Sequence, residues 1–189
     1  MTKILTTISL AIMLFSCAND NKQQNSHSIK DTVTAIAKKE NPDTAVSDRC
    51  YKIIGDSVII LPFEIEIRLS PKAEQRLAND KETIMVDVFF TGTPKDSSHA
   101  KFEEDGSFFV ANGKKEIYYG QVAKFDRIIF SKKIYDQLAD KDIDLGVNVY
   151  SGRKSSPDNL LNCESLFDKI SHVINKKFTL KGKLIYGDN

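Results

Sequence analysis

The sequence predicts a mainly β protein, an antiparallel β-sandwich in which short helices bridge the strands. Three observations carry that expectation. Many short segments alternate apolar and polar residues with a period of two, which buries one face of a strand and wets the other. Clusters of Gly, Pro, Asn, Asp and Ser separate these segments at short intervals. One strand–helix–strand pattern also recurs. Moved by 61 residues without a gap, Ile67, Ser70, Leu77, Ala78, Ile84, Val86 and Val88 fall on Ile128, Ser131, Leu138, Ala139, Leu145, Val147 and Val149. A central parallel sheet is not expected, because its strands would read as continuous apolar runs.

In chain order, Lys3 precedes an apolar run from Ile4 to Phe15, broken only by Thr6, Thr7 and Ser9. Spanning a bilayer takes about 20 residues, so this run is too short to be a membrane helix of the mature protein. It has the charge, length and small-residue ending of a secretory leader. Its last residues, Leu14-Phe15-Ser16-Cys17, resemble the lipobox of bacterial lipoprotein signal peptides. The resemblance implies cleavage before Cys17, a diacylglyceryl group on its sulfur and acylation of the new N-terminus. Residues 1–16 are then a signal peptide, and membrane attachment runs through the lipidated Cys17. Each buried acyl methylene contributes about 0.8 kcal/mol, and stable anchoring takes two chains or more. Ala18, by resemblance to the sorting rule of double-membraned bacteria, implies the outer membrane of the cell envelope.

Residues 17–48 are expected to form the lipid anchor and a flexible tether. The stretch from Ala18 to Asp48 is polar and lacks aromatic residues, so it cannot bury enough apolar area to offset its ordering entropy. As a coil it reaches about 30 Å. A transient helix is compatible with Ile29, Val33 and Ile36, with Asn41-Pro42 as its stop.

Residues 49–189 have the size of one ordinary domain. Leu61, Phe63, Ile65, Ile67 and Leu69 predict a half-buried strand; Ser70-Pro71 predicts a helix N-cap with proline at the first position. Ile84, Val86, Val88 and Phe90 predict the next strand, followed by a loop over 91–106. Phe108 to Ala111 and Glu116 to Ala123 flank Asn112-Gly113, which predicts a hairpin with a type I′ turn. Arg127 to Phe130 is a further strand, Ser131 caps a second short helix, and Leu145, Val147 and Val149 form its following strand. A helix around Ser165 to Ile174 and a strand from Phe178 to Ile185 complete the domain. Loops 91–106 and 151–162 take equivalent places if the two units are related by a pseudo-two-fold.

Composition excludes several functions. The chain carries 27 Lys and Arg against 26 Asp and Glu, a balance that argues against a nucleic-acid partner. His27, His99 and His172 are scattered without ligand spacing, so neither a metal nor another cofactor is expected. Asp140, Asp142 and Asp144 share the first spacings of a calcium loop, but Leu145 stands where Gly is required and Ser151 where Glu is required. No G-x-S-x-G occurs and Cys163 has no evident His partner, so the chain is not read as an enzyme. With Cys17 assigned to lipid, Cys50 and Cys163 remain, and outside the cytoplasm such a pair invites a disulfide, worth ~4–5 kcal/mol in the chain-entropy model. The alternative is two buried thiols.

The richest polar stretch is Ser151-Gly152-Arg153-Lys154-Ser155-Ser156-Pro157-Asp158-Asn159. Its two cations, hydroxyls and backbone N–H groups suit an anion or carboxylate, while Ser-Pro-Asp-Asn equally reads as turn chemistry. Tyr118, Tyr119 and Tyr150 read first as packing residues. These features together predict a non-catalytic binding or assembly module with an envelope protein or polymer as partner. A small-ligand or glycan binder is the alternative, and an envelope hydrolase a weaker one. A tethered sandwich of balanced charge is similar to assembly or inhibitor lipoproteins of the bacterial envelope and to the transthyretin-like lipoproteins of secretion machines, at the level of fold alone.

Overall fold

The computed structural model describes residues 42–98, 100, 102 and 106–187, with side chains from residue 46 onward. Cys17 and the leader lie outside the described residues, as does most of the tether. The elements are α1 (Pro42–Cys50), β1 (Tyr51–Ile54), β2 (Ser57–Ile60), β3 (Phe63–Leu69), α2 (Pro71–Asp80), β4 (Ile84–Gly92), β5 (Phe108–Ile117), β6 (Val122–Phe125), β7 (Ile128–Ser131), α3 (Lys132–Gln137), β8 (Asp144–Ser151), β9 (Leu161–Cys163), β10 (Leu166–Lys169), α4 (Ile170–Val173) and β11 (Lys177–Leu184). Among the described residues the strands form three sheets, ordered β1-β2-β7, β10-β8-β4-β5 and β6-β3-β11-β9.

The two four-stranded sheets face each other as a sandwich, because the alternating segments turn their apolar residues to one side. Phe63, Ile65 and Ile67 of β3 are buried together with Ile84, Val86, Val88 and Phe90 of β4 and Leu145, Val147 and Val149 of β8. Phe63 bridges the layers: it meets Phe90 edge to face at 6.3 Å and stacks on Phe125 at 5.1 Å. The smaller sheet closes over a second aromatic cluster, in which Tyr51 packs edge to face on Tyr135 at 5.3 Å and on Phe130 at 6.2 Å.

Both strand–helix–strand units are present, as β3–α2–β4 and β7–α3–β8. Ser70 Oγ accepts a hydrogen bond from Ala73 N (3.2 Å) and Ser131 Oγ accepts one from Ile134 N (3.3 Å), each satisfying an orphan donor of the first helical turn. Both units deliver their second strand to the same sheet, where β4 and β8 pair antiparallel with Asp87 opposite Asn148. These two residues are equivalents in the sequence repeat, so the local two-fold passes through that pair. The first strands depart from the symmetry: β3 lies between β6 and β11, whereas β7 is an edge strand beside β2. Antiparallel pairing also places the loops that follow β4 and β8 at opposite ends of the sheet, not at one end.

Several local expectations are corrected. Asn112-Gly113 makes no hairpin. β5 runs straight through it, pairing Asn112 with Phe89 and Gly113 with Val88, and neither residue has the positive φ that a type I′ turn requires. Gly113 serves close packing instead, since a Cβ there would stand 3.1 Å from Ile128 Cδ1 and 3.2 Å from Val88 Cγ2. The reversal falls at Gly120, with φ 84°. The sandwich is not wholly antiparallel, because β11 pairs with β3 in parallel. The segment Ser165 to Ile174 is only partly helix: Leu166–Lys169 adds β10 to the edge of β8, and Ile170–Val173 forms α4. Order also begins before residue 49. Pro42 opens α1, Val46 packs against the core, and Tyr135 Oη donates to Ser47 Oγ at 2.6 Å.

Candidate functional site

The outer face of the sheet β10-β8-β4-β5 carries a groove of about 580 Å³, lined by Met85, Asp87, Glu116, Asn148, Tyr150, Gly152, Arg153, Lys154 and Asn159. Alternation sets its floor. Met85 and Asp87 of β4, Asn148 and Tyr150 of β8 and Glu116 of β5 are the outward residues of strands whose other faces fill the core. The polar stretch singled out in the sequence forms its wall.

That wall is held from below by Glu82, a residue with no sequence signature of its own. Its side chain is 2% exposed, in the short link between α2 and β4. Glu82 Oε1 accepts from the amides of Lys154 (3.0 Å) and Thr83 (3.0 Å), and Oε2 accepts from the amide (2.7 Å) and hydroxyl (2.6 Å) of Ser155. Burial alone would raise its pKa, but the donors of Lys154, Ser155 and Thr83 outweigh it and hold the carboxyl at about 2. The sequence reading offered the loop's backbone N–H groups to an external anion. This corrects it: at Lys154 and Ser155 the anion is the protein's own carboxylate.

The rest of the loop is similarly fastened. Gly152 N donates to Thr83 O at 2.8 Å, and a Cβ at Gly152 would overlap Thr83 Oγ1. Asn159 Oδ1 accepts from Ser151 N (2.9 Å) and Leu161 N (3.1 Å), while its Nδ2 donates to Leu161 O (2.8 Å). Ser151 Oγ accepts from Leu160 N at 2.9 Å, and Ser156 Oγ accepts from Asp158 N at 3.2 Å. Locking both neighbours of Arg153 holds it in the left-handed region, with φ 60°.

The charges in the groove are unequally compensated. Lys154 Nζ lies 2.9 Å from Glu116 Oε1, which also accepts from Thr83 Oγ1 at 2.7 Å; these contacts lower the Glu116 pKa and raise that of Lys154. Lys114 Nζ lies 2.9 Å from Asp87 Oδ2 and 5.9 Å from the centre of the Tyr150 ring. Arg153 is exposed and has no ion pair or hydrogen bond among the described residues. It is the uncompensated cation of the site.

Other sequence candidates lie elsewhere. Cys50 and Cys163 are free thiols, which corrects the expected disulfide. Cys50 ends α1, buried in the core just before Tyr51, whereas Cys163 sits in β9 opposite Gly182. Burial raises both thiols to about 11, with Asp142 adding to the effect at Cys50 and Glu164 at Cys163, so both stay protonated and weakly nucleophilic. The carboxylates of the calcium-like spacing are engaged separately: Asp142 accepts from Ser171 N (2.9 Å) and Oγ (2.8 Å), and Asp144 pairs with Lys169 at 2.9 Å. His172 Nδ1 meets Asp168 at 2.8 Å on the surface. Tyr119 is hydrogen-bonded to Glu74, away from the groove.

Beside the groove the same sheet face turns aromatic. Phe167 and Phe89 flank Gly146 in register, and a Cβ at Gly146 would overlap the Phe89 ring. Phe89, Phe109 and Phe167 remain 39%, 37% and 68% exposed.

Fold and site thus define a β-sandwich with a side-chain-lined surface groove. No family model, curated protein or solved structure matches the chain. Among the described residues no helix is long and apolar enough to cross a membrane.

Proposed function

We propose that the chain is a lipid-anchored, non-catalytic binding module of a bacterial envelope, attached through Cys17 at the outer membrane and holding its ligand in the groove walled by residues 151–159. The observation that carries this reading is Glu82. A buried carboxylate used to fix a surface loop preorganises that loop, and preorganisation lowers the ordering cost of binding. The charges of the groove support binding rather than turnover. Glu116 is held ionised by Lys154 and Thr83, which suits a hydrogen-bond acceptor and not a general acid. The basic leader, its apolar core and Leu14-Phe15-Ser16-Cys17 support the anchor.

The test places a photocrosslinking amino acid at Asn148 in cells and compares it with the same group at Lys72, on α2. Capture from Asn148, absent from Lys72 and reduced several-fold by Glu82→Gln, is the expected result. Equal capture from both sites, or no effect of Glu82→Gln, overturns the groove as the binding site. Cys17→Ala should move the protein out of the membrane fraction; retention there removes the lipid anchor from the proposal.

A second reading, assembly on an envelope protein, is favoured by Phe89, Phe109 and Phe167, since exposed aromatic residues in one patch mark protein contacts. Phe167→Ser abolishes capture of a protein if that reading holds and leaves groove capture intact if it does not.

A further inference from the structure

Most of the hydrogen-bonding groups that the groove still has available belong to side chains, and this restricts what it can hold. Its floor is mostly paired strand: β4 lies between β5 and β8, while β10 covers β8 only at Asp144–Val147 and β5 ends the sheet. Whether an extended peptide uses the short open edge of β8 is tested by the glutamate oligomer among the probes below. Its wall offers little backbone either, because the amides of Ser151, Gly152, Lys154 and Ser155 already donate to Asn159, Thr83 and Glu82. A phosphate, which binds best to clustered amides or several cations, would meet one uncompensated cation and two carboxylates. What remains is a specific set. Arg153 supplies one positive charge, and the exposed Asn148 amide has no hydrogen-bond partner among the described residues. Asp87 and Glu116 each bind one lysine, which leaves acceptor positions on both carboxylates. Met85 and the ring of Tyr150, whose hydroxyl donates to Asp87 Oδ2 at 3.4 Å, line the strip between them.

We infer that the groove binds a carboxylated saccharide of the uronic-acid type. This rests on reading the groove as a binding site and goes beyond it by naming the ligand chemistry. One carboxylate pairs with Arg153, whose fork-shaped guanidinium matches it in two parallel hydrogen bonds. Sugar hydroxyls donate to Asp87 and Glu116 and exchange hydrogen bonds with the Asn148 amide. The C–H face of the ring lies on Met85 and Tyr150. A ligand with a single negative charge per unit satisfies Arg153 without crowding the two carboxylates.

Calorimetric titration of the full chain tests this with four probes: oligomers of glucuronate and galacturonate, the same oligomers with carboxyls reduced to alcohols, inorganic phosphate, and a glutamate oligomer. The expected result is binding of at least one uronate oligomer, ten-fold or more weaker for its reduced form. Arg153→Gln should erase that preference, and Asn148→Ala should weaken charged and reduced oligomers alike. Equal binding of charged and reduced forms, no loss with Arg153→Gln, or no binding of either uronate overturns the inference. If phosphate or the glutamate oligomer binds instead, and Arg153→Gln abolishes it, the saccharide is wrong while the groove stands as a binding site. If no probe binds and crosslinking from Asn148 also fails, both readings fall. An unchanged melting temperature for Arg153→Gln and Asn148→Ala separates these results from misfolding.

Discussion

The units β3–α2–β4 and β7–α3–β8 are built alike and meet about the Asp87–Asn148 pair, yet the links that enter their second strands carry opposite chemistry. In the first unit the link holds Glu82 and Thr83; the repeat places Ile143 and Asp144 at the matching positions of the second. Each link packs against a glycine at the end of the other unit's second strand, Gly92 as the last residue of β4 and Gly152 just past β8. Thr83 sits against Gly152, and Ile143, with Leu138, sits against Gly92. At one end of the sheet the contact is apolar and merely seals the core. At the other a buried carboxylate reaches up to the loop backbone and sets its shape. The difference teaches that one topological position can serve either packing or loop positioning, depending on a single side chain.

Exchanging the two chemistries should break the comparison most severely. Ile143→Glu buries a carboxylate without donors and should cost more than about 4 kcal/mol, seen as loss of a cooperative thermal transition. Glu82→Ala strands the amides of Lys154 and Ser155 and should cost about 3 kcal/mol. Hydrogen exchange would rise across 152–156 but not in β5, where a uniform rise would mean global rather than local release.

The Glu82 lock also predicts an acid dependence. Its folded pKa, about 2, lies below the ordinary 4.5, so its contribution is fully present above 4.5 and is lost as pH falls from there toward 2. In urea titrations wild type should exceed Glu82→Gln near neutral pH, with the gap closing across that window. A gap that persists unchanged to the acid limit assigns the difference to packing.

The glycines sharpen the comparison at smaller magnitude. Gly92→Ala puts a Cβ 2.5 Å from Leu138 Cδ2, and Gly152→Ala drives one into Thr83, whose hydroxyl is tied to Glu116. Each should cost about 2 kcal/mol by denaturant unfolding. The Gly152 variant alone should weaken groove binding. Smallest are the caps: Ser70→Ala and Ser131→Ala should each cost about 1 kcal/mol, and equal losses would mark the two helix starts as equivalent.

Much of this architecture was legible in the residues. Alternation in 63–69, 84–90 and 145–149 revealed strands because burying one face of a pleated segment leaves a period of two in the chain. Ser70 and Ser131 were readable because capping is a contact within one helical turn. Asn112-Gly113 misled, since a short turn signal is overruled when β4 offers both residues a full ladder on the core side. The polar stretch 151–159 was recognised by composition, but its inner workings were not. Its anchor is 72 residues distant in the case of Lys154, and a lone glutamate after a helix looks like any other surface charge.

By itself, then, the sequence determined the alternating strands 63–69, 84–90 and 145–149, the caps that start α2 and α3, that the halves repeat, and that a polar loop follows β8. Those properties arise from interactions within a few residues, or from the periodicity that burial imposes. The tertiary structure alone decided which glutamate is buried, that Cys50 and Cys163 are free thiols, that β3 and β11 run parallel, and that Arg153 is left without a counter-charge over the groove. Each of these depends on distances between segments remote in the chain, which local pattern does not encode.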